Sequence, residues 1–270
     1  MRIWHQSLTV IEDLPTYAER MRAHIATVAR KDTEVVLHGL LPGTYPANYP
    51  GDDIAYGFLF AMHSLQWPVH ALNAERQGFD AFAMCSLPDP MLREIRSIVE
   101  IPVVGCGETC FHLASMMGER FGMLLFIERM AARYLDQIRL HGLAERCVGV
   151  RPVGFRFHDV LAAFDGSPGP LIDRFRDAAR KMIADGADVI IPGEIPLNLL
   201  LATEGVREID GVPLLDSLGL TIKMAETFVD LKATTGFAPS RRGWRHAAPA
   251  RERVLQVLDF YGLGRFLSEG

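Results

Sequence analysis

The chain is poor in several residue types, and each scarcity removes a class of protein. Only four cysteines, Cys85, Cys106, Cys110 and Cys147, occur in 270 residues. Their spacing fits no zinc site and no secretory context suggests a disulfide framework, so reduced thiols in the cytoplasm are expected. Runs of basic residues are missing: 28 lysines and arginines face 33 acids, for a formal net charge of -5. That balance argues against nucleic acid as a partner. No apolar stretch approaches the roughly 20 residues of a membrane-spanning helix, so no membrane contact is expected. Arg2-Ile3-Trp4 already reads as a first strand, so no signal peptide is expected. What remains is the composition of a globular protein, large enough for one big domain or two ordinary lobes.

Within that composition one segment is used twice. Gly78-Phe79-Asp80-Ala81-Phe82-Ala83-Met84-Cys85-Ser86-Leu87-Pro88 aligns without a gap to Gly186-Ala187-Asp188-Val189-Ile190-Ile191-Pro192-Gly193-Glu194-Ile195-Pro196. Each copy reads as a helix end, a turn, an apolar strand and a polar loop. Pro102-Val103-Val104-Gly105 follows the first copy, and Pro213-Leu214-Leu215-Asp216 follows the second. Such a repeat predicts two similar α/β halves whose polar loops face one cleft.

Short apolar runs alternate with segments of helical period, the pattern of parallel sheets wrapped by helices. Strands are predicted near 2–5, 34–39, 80–85, 102–106, 122–127, 148–153, 188–192 and 212–215. Helices are predicted near 12–30, 54–77, 89–99, 109–119, 128–141, 169–185, 197–206 and 217–234. The stretch 40–53, with Pro42, Gly43, Pro46, Pro50 and Gly51, is too rich in breakers for either, and its Tyr45 and Tyr49 can close over a ligand or pack the loop down. The segment 154–168 gives no clear pattern. Parallel sheets bind ligands beyond the carboxyl ends of their strands. The residues there are His5-Gln6-Ser7, Cys85-Ser86, Gly107-Glu108-Thr109, Gly193-Glu194 and Asp216-Ser217. Free N–H groups at the helix starts that follow would favour an anionic group such as a substrate carboxylate.

These segments resemble the Asp/Glu/hydantoin racemase superfamily, and its hydantoin racemase branch most closely. The carriers are Arg2 to Ser7, Phe-Asp-Ala-Phe with Asp-Pro at 79–90, and Ile-Pro-Val-Val-Gly-x-Gly-Glu-x-x-Phe-His at 101–112. Gly-Ala-Asp-Val-Ile at 186–190, Val-Pro-Leu-Leu-Asp at 212–216 and Ser-Arg-Arg-Gly at 240–243 complete them. The resemblance implies two Rossmann- or flavodoxin-like lobes related by a pseudo-two-fold axis, with the active site between them. We place the first lobe at residues 1–108 with 212–236, the second at 109–211, and a tail at 237–270 on the body or on a second subunit. It also implies a cytoplasmic, homo-oligomeric isomerase acting on a small molecule without cofactor or metal, by proton abstraction beside a carbonyl between two facing cysteines. This chain departs from that pattern. In the family the first cysteine follows the aspartate matching Asp80 by six residues, where this chain has Ser86, with Cys85 one place early. The second follows the aspartate matching Asp188 by six, where this chain has Glu194 after Gly193.

The substitutions change the chemistry. A thiol titrates near working pH, whereas a serine hydroxyl needs an activating neighbour. Glu194 can be a general base if apolar surroundings raise its pKa, and Ile191, Pro192, Ile195 and Pro196 flank it. The expected catalytic set is therefore Glu194 and Ser86, with Cys85 as a rival because strand ends curl. His5, Gln6, Ser7, Glu108, Thr109, Gly193 and Asp216 are expected to hold substrate. Isomerisation, decarboxylation and hydrolysis stay open beside racemisation. Glu108 and His112 lie one helical turn apart and can join Glu194 in a metal site, with Asp216 and His5 nearby, which gives a metal-dependent hydrolase or lyase as an alternative. A non-catalytic ligand-binding homologue is the third reading.

Overall fold

Strands that are apolar on both faces must be covered by helices on both sides, and two parallel sheets are built that way here. The computed structural model describes residues 1–46 and 49–268; Ala47 and Asn48, in the breaker-rich stretch, and Glu269 and Gly270, at the end of the tail, lie outside the described residues. The first sheet contains β1 (Arg2–Gln6), β2 (Glu34–His38), β3 (Ala81–Met84) and β4 (Val103–Gly105), in the order β2-β1-β3-β4. The second contains β5 (Phe121–Leu125), β6 (Cys147–Pro152) and β7 (Val189–Pro192), in the order β6-β5-β7. A parallel bridge between Ile190 and Leu214 puts the 212–215 segment in the fourth place. The two sheets thus share one topology.

The repeated sequence has a physical cause in each half. Gly78 (φ 71°) and Gly186 (φ 99°) turn the chain from helix to strand in the left-handed region, where a side chain is strained. Two residues on, Asp80 Oδ2 accepts the N–H of Arg2 at 2.6 Å. Asp188 likewise accepts the N–H groups of Glu119 and Arg120, at 2.8 and 2.9 Å. Each aspartate ties its own strand to the start of the central one, β1 or β5. Register follows: Phe82 pairs Val103 in the first half as Ile190 meets Leu214 in the second.

The helix expectations need correction in one region, and the segment without a clear pattern holds a helix. The run 54–77 is two helices, Gly57–Ser64 and Gln66–Arg76, and a four-residue helix, Gly51–Ile54, ends the stretch expected to be neither helix nor strand. Tyr56 is extended (φ -114°, ψ 124°), and Pro68 has no N–H to give to Ser64, so one helix cannot pass through. Within 154–168 a helix spans Phe157–Asp165, with Phe157, Val160 and Phe164 buried. Gly154, Gly166 and Pro168 on its flanks hid it. Asp159 starts it by accepting the N–H of Arg156 at 2.7 Å. After Gly236 the tail lies along the first lobe. Arg241 donates to the carbonyls of Arg96 and Val99, and Arg251 pairs with Glu75 at 2.8 Å. No helix among the described residues is long and apolar enough to cross a membrane.

Candidate functional site

A small cavity of about 60 Å³ lies at the carboxyl ends of the central strands, between the lobes. The first lobe supplies Ser7, Thr9, Tyr17, Cys85 and Ser86; the second supplies Phe126, Tyr134, Gly193 and Glu194. Tyr49 closes the mouth from the first lobe and stacks on Phe157 of the second, with ring centres 5.0 Å apart and planes at 15°. Ordinary small-molecule pockets start near about 300 Å³, so this cavity is tight. Among the described residues that line it, none is lysine, arginine or histidine, and Glu194 is the one acid.

Gly193 makes the position of Glu194 attainable. A Cβ there would lie 2.7 Å from the Leu124 carbonyl oxygen and 2.8 Å from Leu125 Cβ. Without one, the Gly193 N–H reaches Leu124 O at 2.6 Å and the chain seats against β5. Glu194 then precedes the helix Ile195–Thr203, but its side chain does not cap that helix. It turns to accept the N–H groups of Phe126 at 2.9 Å and Ile127 at 3.2 Å. Glu194 is buried, and burial raises its carboxyl to about 8 against the pull of those two donors. A carboxyl poised there exchanges protons near neutral pH.

The facing loop is held from both lobes. Cys85 N–H still bonds Gln6 O in the sheet, and Ser86 N–H turns back to Met84 O, so the strand curls at its end and both side chains line the cavity. The Cys85 thiol is pushed well up by burial and then by Asp89, which keeps it protonated. Asp89 anchors the loop. Its N–H bonds Ser86 O, and its carboxylate accepts Gly107 N–H at 3.1 Å and Glu108 N–H at 2.7 Å, at the start of the helix Cys106–Met117. Burial lifts this carboxyl to about 7. From the second lobe, the helix Ala131–Leu140 reaches over. Gln137 donates to Leu87 O at 3.0 Å and to Asp89 Oδ2 at 2.8 Å, and Arg133 donates to Pro88 O at 2.9 Å.

The cavity therefore brings together Ser7, Cys85, Ser86, Gly193 and Glu194 of the residues expected from the sequence. His5 and Gln6 close β1 and are sealed in the core; His5 has no partner for either ring nitrogen, and burial lowers it to about 3. Glu108, Thr109 and His112 line a separate groove of about 480 Å³ beside the tail. There Arg96 outweighs the burial of Glu108 and holds its carboxyl below the usual range. Asp216 lies in a third cavity, paired with His24 at 2.7 Å and accepting Gly219 N–H at 3.0 Å. Glu108 and His112 are thus apart from Glu194, and among the described residues no three His, Cys, Asp or Glu side chains are grouped to hold a metal ion. Tyr17, Tyr134 and Gln137 were not among the residues expected from the sequence, and Asp89 stood there only in the Asp-Pro pair that carries the resemblance. The halves align with a one-residue shift before Tyr17 and Tyr134, which an ungapped comparison cannot see, and Asp89 lies just past the aligned block.

Comparison with known proteins agrees with this architecture. The sequence profile of the Asp/Glu/Hydantoin racemase family matches residues 16–225. The hydantoin racemase of Pseudomonas sp. (strain NS671) is 28% identical over 193 residues, covering 70% of this chain and 72% of that protein. The structure of allantoin racemase from Klebsiella pneumoniae superposes with a TM-score of 0.75 at 24% identity, covering 93% of this chain and 94% of its own. Allantoin racemase from Pseudomonas fluorescens gives a TM-score of 0.69 at 25% identity, over 92% and 97% of the two chains.

Proposed function

The chain belongs to the Asp/Glu/hydantoin racemase family, and on that premise we propose that it moves a proton on a carbon beside a carbonyl of a small cyclic amide, with Glu194 as the acid/base. The observation that carries this reading is the Glu194 carboxyl itself: buried, held by two backbone N–H groups, and raised to about 8 in a cavity shared with the Ser86 loop. In the reaction the Glu194 carboxylate takes the α-proton, the bonding pair moves onto the carbonyl oxygen, and return of the proton restores the carbonyl. Ser86 is neither a base nor an acid of matching strength, and it holds the substrate by hydrogen bonding. One base acting alone favours a one-sided proton transfer over a symmetric two-base exchange.

The lining favours a substrate class. With no cationic side chain around it and mostly apolar walls, the cavity suits a neutral ring with an apolar substituent better than a zwitterionic amino acid. A 5-substituted hydantoin fits that chemistry, in keeping with the relatives named above. The experiment is solvent exchange in deuterated buffer, followed by NMR on each enantiomer of 5-benzylhydantoin. Glu194→Gln is expected to abolish deuterium entry at the α-carbon, and Cys85→Ala to leave it within about threefold of wild type. Exchange that survives Glu194→Gln but is lost in Cys85→Ala would replace this mechanism with a thiol one.

A further inference from the structure

The pseudo-two-fold axis relates two buried tyrosines. Each half opens with a strand and then a short 3-10 turn, Ile11–Asp13 in the first and Glu128–Met130 in the second. Four residues beyond each turn stands a tyrosine on the helix that follows, Tyr17 on Pro15–Val28 and Tyr134 on Ala131–Leu140. Both rings line the cavity, and both are almost fully buried, at 2% and 1% exposure. Their hydroxyls differ. Tyr134 donates to Gly193 O at 3.5 Å, on the Glu194 side. The Tyr17 hydroxyl makes no hydrogen bond among the described residues, and its oxygen is not one of the fully buried unpaired atoms, so it keeps open surface at the cavity that the residue lines. A phenol hydroxyl with open surface at a cavity wall and no protein partner is a donor available to a ligand in that cavity.

We infer that Tyr17 is a further catalytic residue, whose hydroxyl donates to the substrate carbonyl oxygen and stabilises the enolate formed when Glu194 removes the α-proton. This rests on the Glu194 reading. Tyr17 stands on the first-lobe wall with Cys85 and Ser86, while the proton leaves toward the second lobe. The substrate's carbonyl oxygen and its α-hydrogen are thereby addressed from different directions, which suits enolisation, because the C–H bond that breaks stands across the carbonyl plane while a donor to the oxygen lies near that plane. Tyr17 keeps its own proton throughout. Burial, and then Cys85 and Cys106, push its phenol well above its ordinary range, so it acts as a hydrogen-bond donor and not as the acid. A donor fixed in a dry site is aimed at charge that appears only during reaction, the arrangement that lowers a barrier most.

The test is Tyr17→Phe, which deletes one oxygen and keeps the ring. α-Proton exchange of 5-benzylhydantoin in deuterated buffer is measured for wild type, Tyr17→Phe and Glu194→Gln, with thermal midpoints for all three. The expected result is a fall in kcat of about 100-fold for Tyr17→Phe. KM should stay within about threefold, and the midpoint should be unchanged or higher. A kcat within about twofold of wild type overturns the proposal. So does a raised KM with kcat unchanged, which would make Tyr17 only a wall of the pocket. If exchange survives Glu194→Gln, the Glu194 reading fails separately, and the Tyr17→Phe ratio still decides the role of Tyr17. A wild type inert toward the hydantoin overturns both.

Discussion

At the scale of single residues, the seat of the Glu194 carboxyl depends on one glycine. Gly193 is the position where any side chain meets the Leu124 carbonyl and Leu125. Gly193→Ala should therefore push the chain off β5 and pull Glu194 from the Phe126 and Ile127 N–H groups. We expect a loss of about 1–3 kcal/mol in stability, the usual cost of overpacking, and at least a tenfold fall in α-proton exchange. Urea unfolding and the NMR assay together check this; full activity in a destabilised protein would mean that the seating of Glu194 does not matter. The place of Gly193-Glu194 just past a strand end was legible in the sequence because the repeat pointed at it. Its reach across to β5 was not, since nothing local to residue 194 announces the amides of Phe126 and Ile127. His5 and Gln6 show the converse: counting from the strand end put them among the ligand contacts, but β1 runs through Gln6, so their side chains are sealed in the core.

At the scale of elements, the helix Ala131–Leu140 braces the two loops that line the candidate site. Its Arg133 and Gln137 hold the first-lobe loop at Pro88, Leu87 and Asp89, and its Tyr134 reaches Gly193 beside Glu194. Gln137→Leu would leave the Leu87 carbonyl without this donor and take one of three donors from the Asp89 carboxylate. We expect it to cost about 1–3 kcal/mol. It should lower kcat more than it raises KM, because the loop that carries Ser86 loosens while the pocket walls remain. A variant with lowered stability and unchanged kcat would show that the helix supports the fold without setting the site. The repeat itself was readable as strand and turn because Gly78 and Gly186, with Asp80 and Asp188, do the same work in both halves. The bracing helix was readable only as a helix, since its contacts join residues about 50 positions apart.

At the scale of the whole molecule, buried titratable groups set the pH range of stability. His5 is lowered to about 3 and His38 and His70 to about 4, each mainly by burial. The unfolded chain binds protons on them below about 6.5, so their contribution is present above that pH and lost as pH falls toward 4. Asp89 and Glu194 act in the opposite sense. Their folded values of about 7 and about 8 exceed the unfolded ones, so the folded protein holds extra protons, and stability is lost as pH rises from about 4 through 8. His5, His38 and His70, with His141 lowered in the same sense by burial, favour higher pH up to about 6.5, and Asp89 and Glu194 oppose it up to about 8. Stability should therefore peak near pH 6–6.5 and fall on both sides. Thermal midpoints between pH 4 and 9 check this; a plateau from 6.5 to 8.5 would show that Asp89 and Glu194 are not held protonated by the fold.

The most direct test of the central claim is the pH dependence of α-proton exchange on 5-benzylhydantoin. If Glu194 is the base, kcat/KM for the wild type rises tenfold per pH unit at low pH and levels off near pH 8, and Glu194→Gln shows no exchange at any pH. A profile already flat by pH 6, or a Glu194→Gln variant that retains the inflection, would contradict the assignment.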